Sequence, residues 1–292
     1  MRSGFCSIVG RPNVGKSTLL NALVGQKVAI TTPVPQTTRH AIRGVLHRDE
    51  AQVVFVDTPG LHKPKTLLGS RLNEVARGTL TGVDTIVFMV DGSQRIGRGD
   101  EFIARLLAEV STPAIAVLGK ADRVGRDAEL PQLARLDQLG DWEEVVPVSA
   151  VTGANVATLA DLVVQRMPGG PPYFPAGQVT DQPREQLVAE TIREKAITLM
   201  REEVPHSIAV VVEELGPGES PHTEVVSATV YVERESQKGI VIGKGASVLR
   251  SIGTRAREEL ELILGAKVYL DLRVKLMREW QRDPKALQRL GY

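Results

Sequence analysis

The chain has 292 residues, 42% of them hydrophobic and 24% charged, so about two globular domains with ordinary cores are expected. A single cysteine, Cys6, excludes an intrachain disulfide, and with only five histidines a thiolate-rich metal site is excluded as well. No run approaches the roughly 20 apolar residues of a membrane span, and no signal region precedes the first apolar segment. We therefore expect a cytoplasmic protein.

A glycine-rich segment, GRPNVGKST at 10–18, lies between a short apolar run and an apolar helical run. Strand, glycine-rich turn, lysine, hydroxyl and helix, in that order, predict a phosphate-binding P-loop. The glycines let backbone N–H groups converge on an anion, and the start of the helix favours negative charge. We expect Lys16 to reach the terminal phosphates and Ser17 to bind Mg²⁺. The residues expected to contact the nucleotide are Gly10, Arg11, Pro12, Asn13, Val14, Gly15, Lys16, Ser17 and Thr18.

Strands and helices alternate along the rest of the first half. Strands are predicted at 52–57, 85–91, 112–122 and 144–150, with helices near 99–110, 128–138 and 155–166. This alternation predicts an α/β domain with a mostly parallel, doubly wound sheet, whose ligands bind at the carboxyl ends of the strands.

The segment Asp57-Thr58-Pro59-Gly60 follows the first of those strands. A carboxylate at this position beside a P-loop is typical of a Mg²⁺-associated acid, so Asp57 is expected to bind the metal ion together with Ser17. Gly60 has no side chain, so its N–H is expected to approach a γ-phosphate closely.

The ordered set of P-loop, threonine-containing loop (31–39), DTPG, KAD (120–122) and SA (149–150) resembles the Ras-like P-loop GTPases. The resemblance implies that Asp122 binds the guanine N1–H and amino group and that Lys120 packs along the loop and base. It also implies that the backbone of Ser149 and Ala150 meets guanine O6. In the triphosphate state Thr38, or less favourably Thr37, would bind Mg²⁺.

Two positions depart from that family pattern. Gly119 stands where these GTPases usually carry an asparagine that ties the base loop to the P-loop, which affects the expected nucleotide affinity more than guanine specificity. Leu61 stands where Ras-type enzymes carry the glutamine that orients the attacking water. Catalysis must therefore come from elsewhere, and the resemblance points to Asn13, which would help to hold K⁺ where an arginine finger acts; the alternative is that Asn13 is only a turn residue. The residues expected to take part in hydrolysis are Asn13, Lys16, Thr38 and Gly60.

A segment rich in proline and glycine, 168–183, marks the domain boundary. We predict a GTPase domain at 1–168, a linker at 169–183 and a second domain at 184–292. The linker is expected to be extended and packed, with a flexible tether as the alternative.

The second half reads helix, strand, strand, helix, helix, strand, which resembles a type II KH domain of the α+β class. KH domains clamp about four nucleotides of single-stranded RNA with a GxxG loop between two helices. Here the loop is GKGA at 243–246, and its fourth residue permits a close backbone approach where its φ is negative. The residues expected to contact RNA are Ile242, Gly243, Lys244, Gly245, Ala246 and Arg250. The alternative is an ordinary turn between two helices.

Positive charge is concentrated at the end of the chain. From Lys238 to Tyr292 there are 12 Lys/Arg and 6 Asp/Glu, a net charge of +6, whereas the whole chain carries +1. Such a basic region on a nearly neutral protein is typical of a surface that binds phosphate groups.

The stretches QTTRH, DTPGLHKP, TDQPREQLVAETIREK and WQRDPKALQRLGY extend the likeness over nearly the whole chain, which resembles the Era family of bacterial GTPases. That resemblance implies slow hydrolysis of GTP to GDP and phosphate, and binding to the 3′ end of small-subunit (16S) ribosomal RNA during 30S subunit assembly. It implies GTP/GDP, Mg²⁺ and a candidate K⁺ as ligands, and peripheral association with the inner face of the cell membrane. A monomer that does not bind DNA is expected.

Three other functions remain open at this point. The chain could be an RNA-binding module with a degenerate nucleotide domain, a P-loop kinase or ATPase, or a membrane-surface signalling GTPase without an RNA role.

Overall fold

A computed structural model describes residues 1–292, apart from the side chain of Arg126, and shows two compact units. The first unit contains Met1–Thr31, Pro35–Lys65 and Gly69–Asp181, and the second contains Thr32–Val34, Thr66–Leu68 and Gln182–Tyr292.

The first unit is built on a six-stranded sheet of order β2-β3-β1-β4-β5-β6. Only β2 and β3 pair in the antiparallel sense; the other neighbours are parallel, which confirms the mostly parallel sheet. The strands are β1 (Arg2–Gly10), β2 (Ile42–Arg48), β3 (Ala51–Asp57), β4 (Thr85–Asp91), β5 (Ala114–Gly119) and β6 (Glu144–Pro147). The helices of this half are α1 (Lys16–Val24), α2 (Leu67–Gly78), α3 (Arg98–Leu107), α4 (Arg126–Asp137) and α5 (Val156–Gln165).

The central strands β4 and β5 are buried along their whole length because both faces of the sheet are covered. Alternate residues enter different cores. Val87 and Met89 join a core that includes residues of α1 and α5, whereas Ile86 and Phe88 join a core that includes residues of α3. Because these strands are packed on both faces, the loops that follow their carboxyl ends start from a rigid sheet.

The linker lies along the edge strand β2 and is not a flexible tether. The amide of Val45 in β2 donates to the carbonyl of Val179 at 2.8 Å. The buried side chain of Gln52 accepts from the amides of Tyr173 (2.7 Å) and Phe174 (3.0 Å) and donates to the Phe174 carbonyl at 2.8 Å. These contacts fit the extended, packed segment expected from the sequence.

The second unit contains a three-stranded sheet of order β7-β8-β9, antiparallel between β7 and β8 and parallel between β8 and β9. Its apolar core takes residues from all three strands and from the helices packed on them. The elements are α6 (Arg184–Leu199), β7 (Ala209–Pro217), β8 (Thr223–Val232), α7 (Glu235–Ile242), α8 (Ser247–Leu264), β9 (Lys267–Leu276) and α9 (Pro284–Arg289).

The end of the chain is held to the second unit by Trp280. This side chain is buried, its indole N–H donates to the Ser207 carbonyl at 3.0 Å, and its ring stacks on Tyr292. Among the described residues, no helix is both long and apolar enough to cross a bilayer.

Candidate functional site

The P-loop connects β1 to α1 at the carboxyl edge of the first sheet. β1 ends at Gly10 and α1 begins at Lys16, with Gly15 in a left-handed conformation at a φ of 109°. Asn13 also has a left-handed φ, of 65°, and an exposed side chain. These turns bring the chain back over the end of β1, so that the start of α1 faces the loop.

Lys16 is buried within this loop, with 6% of its surface exposed. Its ammonium group donates to the carbonyls of Gly10 (3.3 Å) and Arg11 (3.0 Å). Burial lowers the pKa of Lys16 to about 8, against the opposing attraction of Asp57. A cation held at this depth gains strongly from an anion in the loop, because its charge is poorly solvated otherwise.

Three oxygen-bearing side chains meet beside Lys16. Ser17 Oγ donates to Asp57 Oδ2 at 2.5 Å, and Thr38 Oγ1 lies 2.9 Å from Ser17 Oγ and 3.3 Å from Asp57 Oδ2. The structure therefore brings together the three residues predicted to bind the metal ion.

The donor set fits Mg²⁺. Asp57 is fully buried, and its second oxygen, Oδ1, has no hydrogen-bond partner among the described residues. Burial raises the pKa of Asp57, against the attraction of Lys16 and hydrogen bonds from Ser17 and Thr38. A buried carboxylate oxygen without a donor, next to two hydroxyls, offers the hard oxygen ligands that this cation takes.

The DTPG segment lies directly against the P-loop. A Cβ added at Gly60 would overlap the backbone nitrogen of Pro12, so only glycine fits there. The amide of Leu61 donates to the Gly10 carbonyl at 3.2 Å, and the Leu61 side chain is buried. Because Leu61 points into the core, it takes no part in orienting water.

The base loop follows β5. Lys120 donates to the Asn13 carbonyl at 2.8 Å and to Asp91 Oδ2 at 2.6 Å, so its ammonium joins this loop to the P-loop. Asp122 Oδ1 accepts from the Ser149 hydroxyl at 2.6 Å. The KAD and SA motifs, which are far apart in sequence, thus meet in space.

The GKGA loop of the second unit lies between α7 and α8. Gly243, Gly245 and Ala246 all have left-handed φ values, of 72°, 58° and 61°. The expectation that Ala246 has a negative φ is therefore wrong. The loop nevertheless opens outward: Lys244 and Arg250 are exposed, and an Arg250 guanidinium nitrogen donates to the Gly245 carbonyl at 2.8 Å.

Residues 5–120 match the family model described as "50S ribosome-binding GTPase", and residues 203–281 match that of the KH domain. GTPase Era of Mycobacterium avium is 52% identical over 295 residues, covering 100% of this chain and 99% of the relative. GTPase Era of Streptomyces coelicolor is 51% identical over 301 residues, covering 100% and 95%.

The chain belongs to the Era family of GTPases.

Two solved Era structures match the entire fold. A point variant of Aquifex aeolicus Era bound to GDP·AlF₄⁻ superposes with a TM-score of 0.97 at 43% identity, covering 100% of this chain and 99% of that one. Era in complex with MgGDPNP and nucleotides 1506–1542 of 16S ribosomal RNA gives the same score, identity and coverage. These matches confirm a Ras-like GTPase domain followed by a KH domain, and an enzyme that hydrolyses GTP.

Three residues near this Era site were missed in the sequence. Asp91, at the end of β4, holds Lys120. His62 Nδ1 donates to the Gly60 carbonyl at 2.9 Å, and His62 Nε2 accepts from Gln36 Nε2 at 2.8 Å, which joins the DTPG segment to the threonine-containing loop. Each lies at the end of a predicted strand or beside a motif, and only that position could have indicated a role in the site.

Proposed function

We propose that this protein is a GTP-driven switch that binds the 3′ end of small-subunit ribosomal RNA and acts in small-subunit assembly. The observation that carries the proposal is the meeting of Ser17, Thr38 and Asp57 beside a buried Lys16, in a chain whose 43% identical structural match is an Era–MgGDPNP–16S rRNA complex. The 16S rRNA in that complex supports the small-subunit assignment.

In this proposal the P-loop residues Gly10 to Thr18 surround the phosphates, and Lys16 exchanges its two carbonyl acceptors for phosphate oxygens. Asp122 binds the guanine N1–H and amino group. The Ser149 amide already donates to the Ala154 carbonyl at 3.0 Å, so the Ala150 amide is the better donor to guanine O6. Lys120 keeps its hydrogen bond to the Asn13 carbonyl, and its aliphatic chain packs against the base.

Ser17, Asp57 and Thr38 would hold Mg²⁺, and the metal ion would neutralise negative charge on the phosphates. Thr38 lies within hydrogen-bond distance of Ser17, which favours it over Thr37 for this role. Gly60 would present its N–H to the γ-phosphate. Loss of that phosphate would release both Thr38 and Gly60, and the Gln36–His62 contact would make the two loops respond together.

Asn13 is the proposed source of catalytic help, because Leu61 is buried and apolar. Its side chain is exposed on a left-handed turn of the P-loop, and an amide oxygen is a suitable ligand for a monovalent cation. A K⁺ ion held there would neutralise charge that develops between the β- and γ-phosphates during hydrolysis.

The GKGA loop, with Ile242, Lys244 and Arg250, is the proposed RNA clamp. The positive φ values of Gly243, Gly245 and Ala246 form a tight turn at the start of α8, where a phosphate is favoured. Lys244 and Arg250 add charge that neutralises neighbouring phosphates. The cytoplasm is the proposed location, and attraction of the basic terminal region to an anionic membrane surface would explain peripheral association.

The proposal is tested by measuring affinity for a 3′-terminal small-subunit rRNA fragment in the presence of GDPNP or GDP. We expect tighter binding with GDPNP, and no difference between the nucleotides for the Asp57→Ala variant. Equal affinity in both nucleotides for the unchanged protein would refute the switch, and binding to anionic vesicles but not to RNA would support the membrane alternative instead.

A further inference from the structure

Met89, near the end of β4, is surrounded by three glycines from the two loops that the proposed function assigns to the nucleotide. We propose that Met89 is a positioning residue that sets the spacing between the P-loop and the base loop, and thereby the residence time of the bound nucleotide. The inference rests on the proposed nucleotide-binding role of these loops.

The backbone of Met89 fixes one side of this arrangement. Met89 pairs with Gly10 of β1 and with Val117 of β5, so it occupies the centre of the sheet just below the loops. A Cβ added at Gly10 would overlap the Met89 carbonyl oxygen. The start of the P-loop therefore rests directly on the backbone of this residue.

The side chain of Met89 fills the space between the two loops. Its methyl carbon, Cε, lies 3.2 Å from the position that a Cβ would take at Gly15, and it overlaps the corresponding position at Gly119. Among the described residues beyond its chain neighbours, no other heavy atom comes within 4 Å of that position at Gly15. Only 1% of Met89 is exposed, so its thioether separates the loops and excludes water between them.

The Met89 side chain therefore occupies the space that a side chain at position 119 would need. Gly119 stands where the wider GTPase family carries an asparagine, and any side chain there would displace the Met89 methyl group. In this chain an apolar contact from β4 replaces a polar contact from the base loop. Methionine suits this role because its unbranched side chain adapts to irregular space.

The same strand supplies the polar contact between the loops. Asp91, two residues beyond Met89, accepts from Lys120, whose ammonium group also donates to the Asn13 carbonyl. β4 thus supports both loops at two points and supplies none of the residues assigned to the γ-phosphate. Changes at Met89 should alter nucleotide release and leave the hydrolysis step nearly unchanged.

The test is a set of full-length variants assayed for release of fluorescently labelled GDP and for single-turnover GTP hydrolysis. Met89→Ala should release GDP about tenfold faster, equivalent to about 1.4 kcal/mol, with the single-turnover rate within about twofold of the unchanged protein. Gly119→Asn alone should also speed release, whereas Met89→Ala combined with Gly119→Asn should release GDP more slowly than either single variant. Val87→Ala, on the same face of the same strand and in the same core, is the matched control.

Met89→Leu conserves volume and provides a folded variant if Met89→Ala fails to fold; it should release GDP faster by a few-fold. A nucleotide-free readout separates this inference from the proposed function. Hydrogen exchange of the Gly15–Ser17 and Lys120–Asp122 amides should rise together in the Met89 variants and not in Val87→Ala. Equal effects of Met89→Ala and Val87→Ala, or an effect of Gly119→Asn that is independent of Met89→Ala, would overturn the inference.

Discussion

Two loops of this chain begin helices and are proposed to hold phosphate groups, yet they are built in opposite ways. The P-loop lies over a buried sheet, and its lysine is held by backbone carbonyls in the interior. The GKGA loop is exposed, and the Arg250 contact to the Gly245 carbonyl lies at the surface. The first loop depends on one buried charge and tight packing, whereas the second depends on backbone conformation and exposed charge.

The largest effect is expected where the charge is buried. Lys16→Ala should lower GTP hydrolysis by about 10²–10³-fold, because a buried cation aimed at developing charge is removed. Phosphate release at saturating GTP measures it, with Lys285→Ala, an exposed lysine of the second unit, as the control. Hydrolysis by Lys16→Ala within about tenfold of the unchanged protein would show that the buried charge is not decisive.

The corresponding change in the exposed loop should be smaller and dependent on salt. Lys244→Ala combined with Arg250→Ala should weaken RNA binding by about tenfold or more and reduce the salt slope by about 1.4, the value for two phosphate contacts on a single strand. Filter binding at several KCl concentrations measures both. Arg184→Ala with Arg201→Ala removes two exposed charges of the second unit outside the basic region 238–292; an equal loss there would mean that the loop has no special role.

A third experiment asks whether the P-loop needs a cation beyond Lys16. Hydrolysis should be several-fold faster in KCl than in NaCl, and Asn13→Ala should remove the difference, because an ion at that position neutralises transition-state charge. Steady-state rates at fixed ionic strength measure it. Identical rates in the two salts would leave Asn13 as a turn residue only.

The smallest effect concerns backbone conformation in the exposed loop. Ala246 has a φ of 61°, which costs a residue with a Cβ about 1–2 kcal/mol. Ala246→Gly should therefore stabilise the second unit by about 1 kcal/mol, whereas Ala189→Gly, inside α6, should destabilise it by about the same amount. Urea unfolding followed by Trp280 fluorescence in a Trp142→Phe background compares them, and destabilisation by Ala246→Gly would contradict the strain.

The contrast between the loops also explains what the sequence could predict. The spacing of the P-loop and DTPG motifs is typical of phosphate and Mg²⁺ binding, so the proximity of Lys16, Ser17 and Asp57 was predictable. The φ of Ala246 and the position of the Met89 side chain were not, because both depend on packing between segments far apart in the chain. The predicted strand at 144–150 was too long, because β6 ends at Pro147 and the residues after it enter the loop that carries the SA motif.

The packed linker has a further consequence, for self-association. A sheet edge exposes unpaired backbone groups that can recruit a strand from another molecule. In the first sheet, β2 forms one edge and gives the Val45 amide to Val179 of the linker, while β6 forms the other edge and contains only 4 residues. The segment rich in proline and glycine thus also shields the longer edge, and cleaving it near Val179 would expose a template for aggregation.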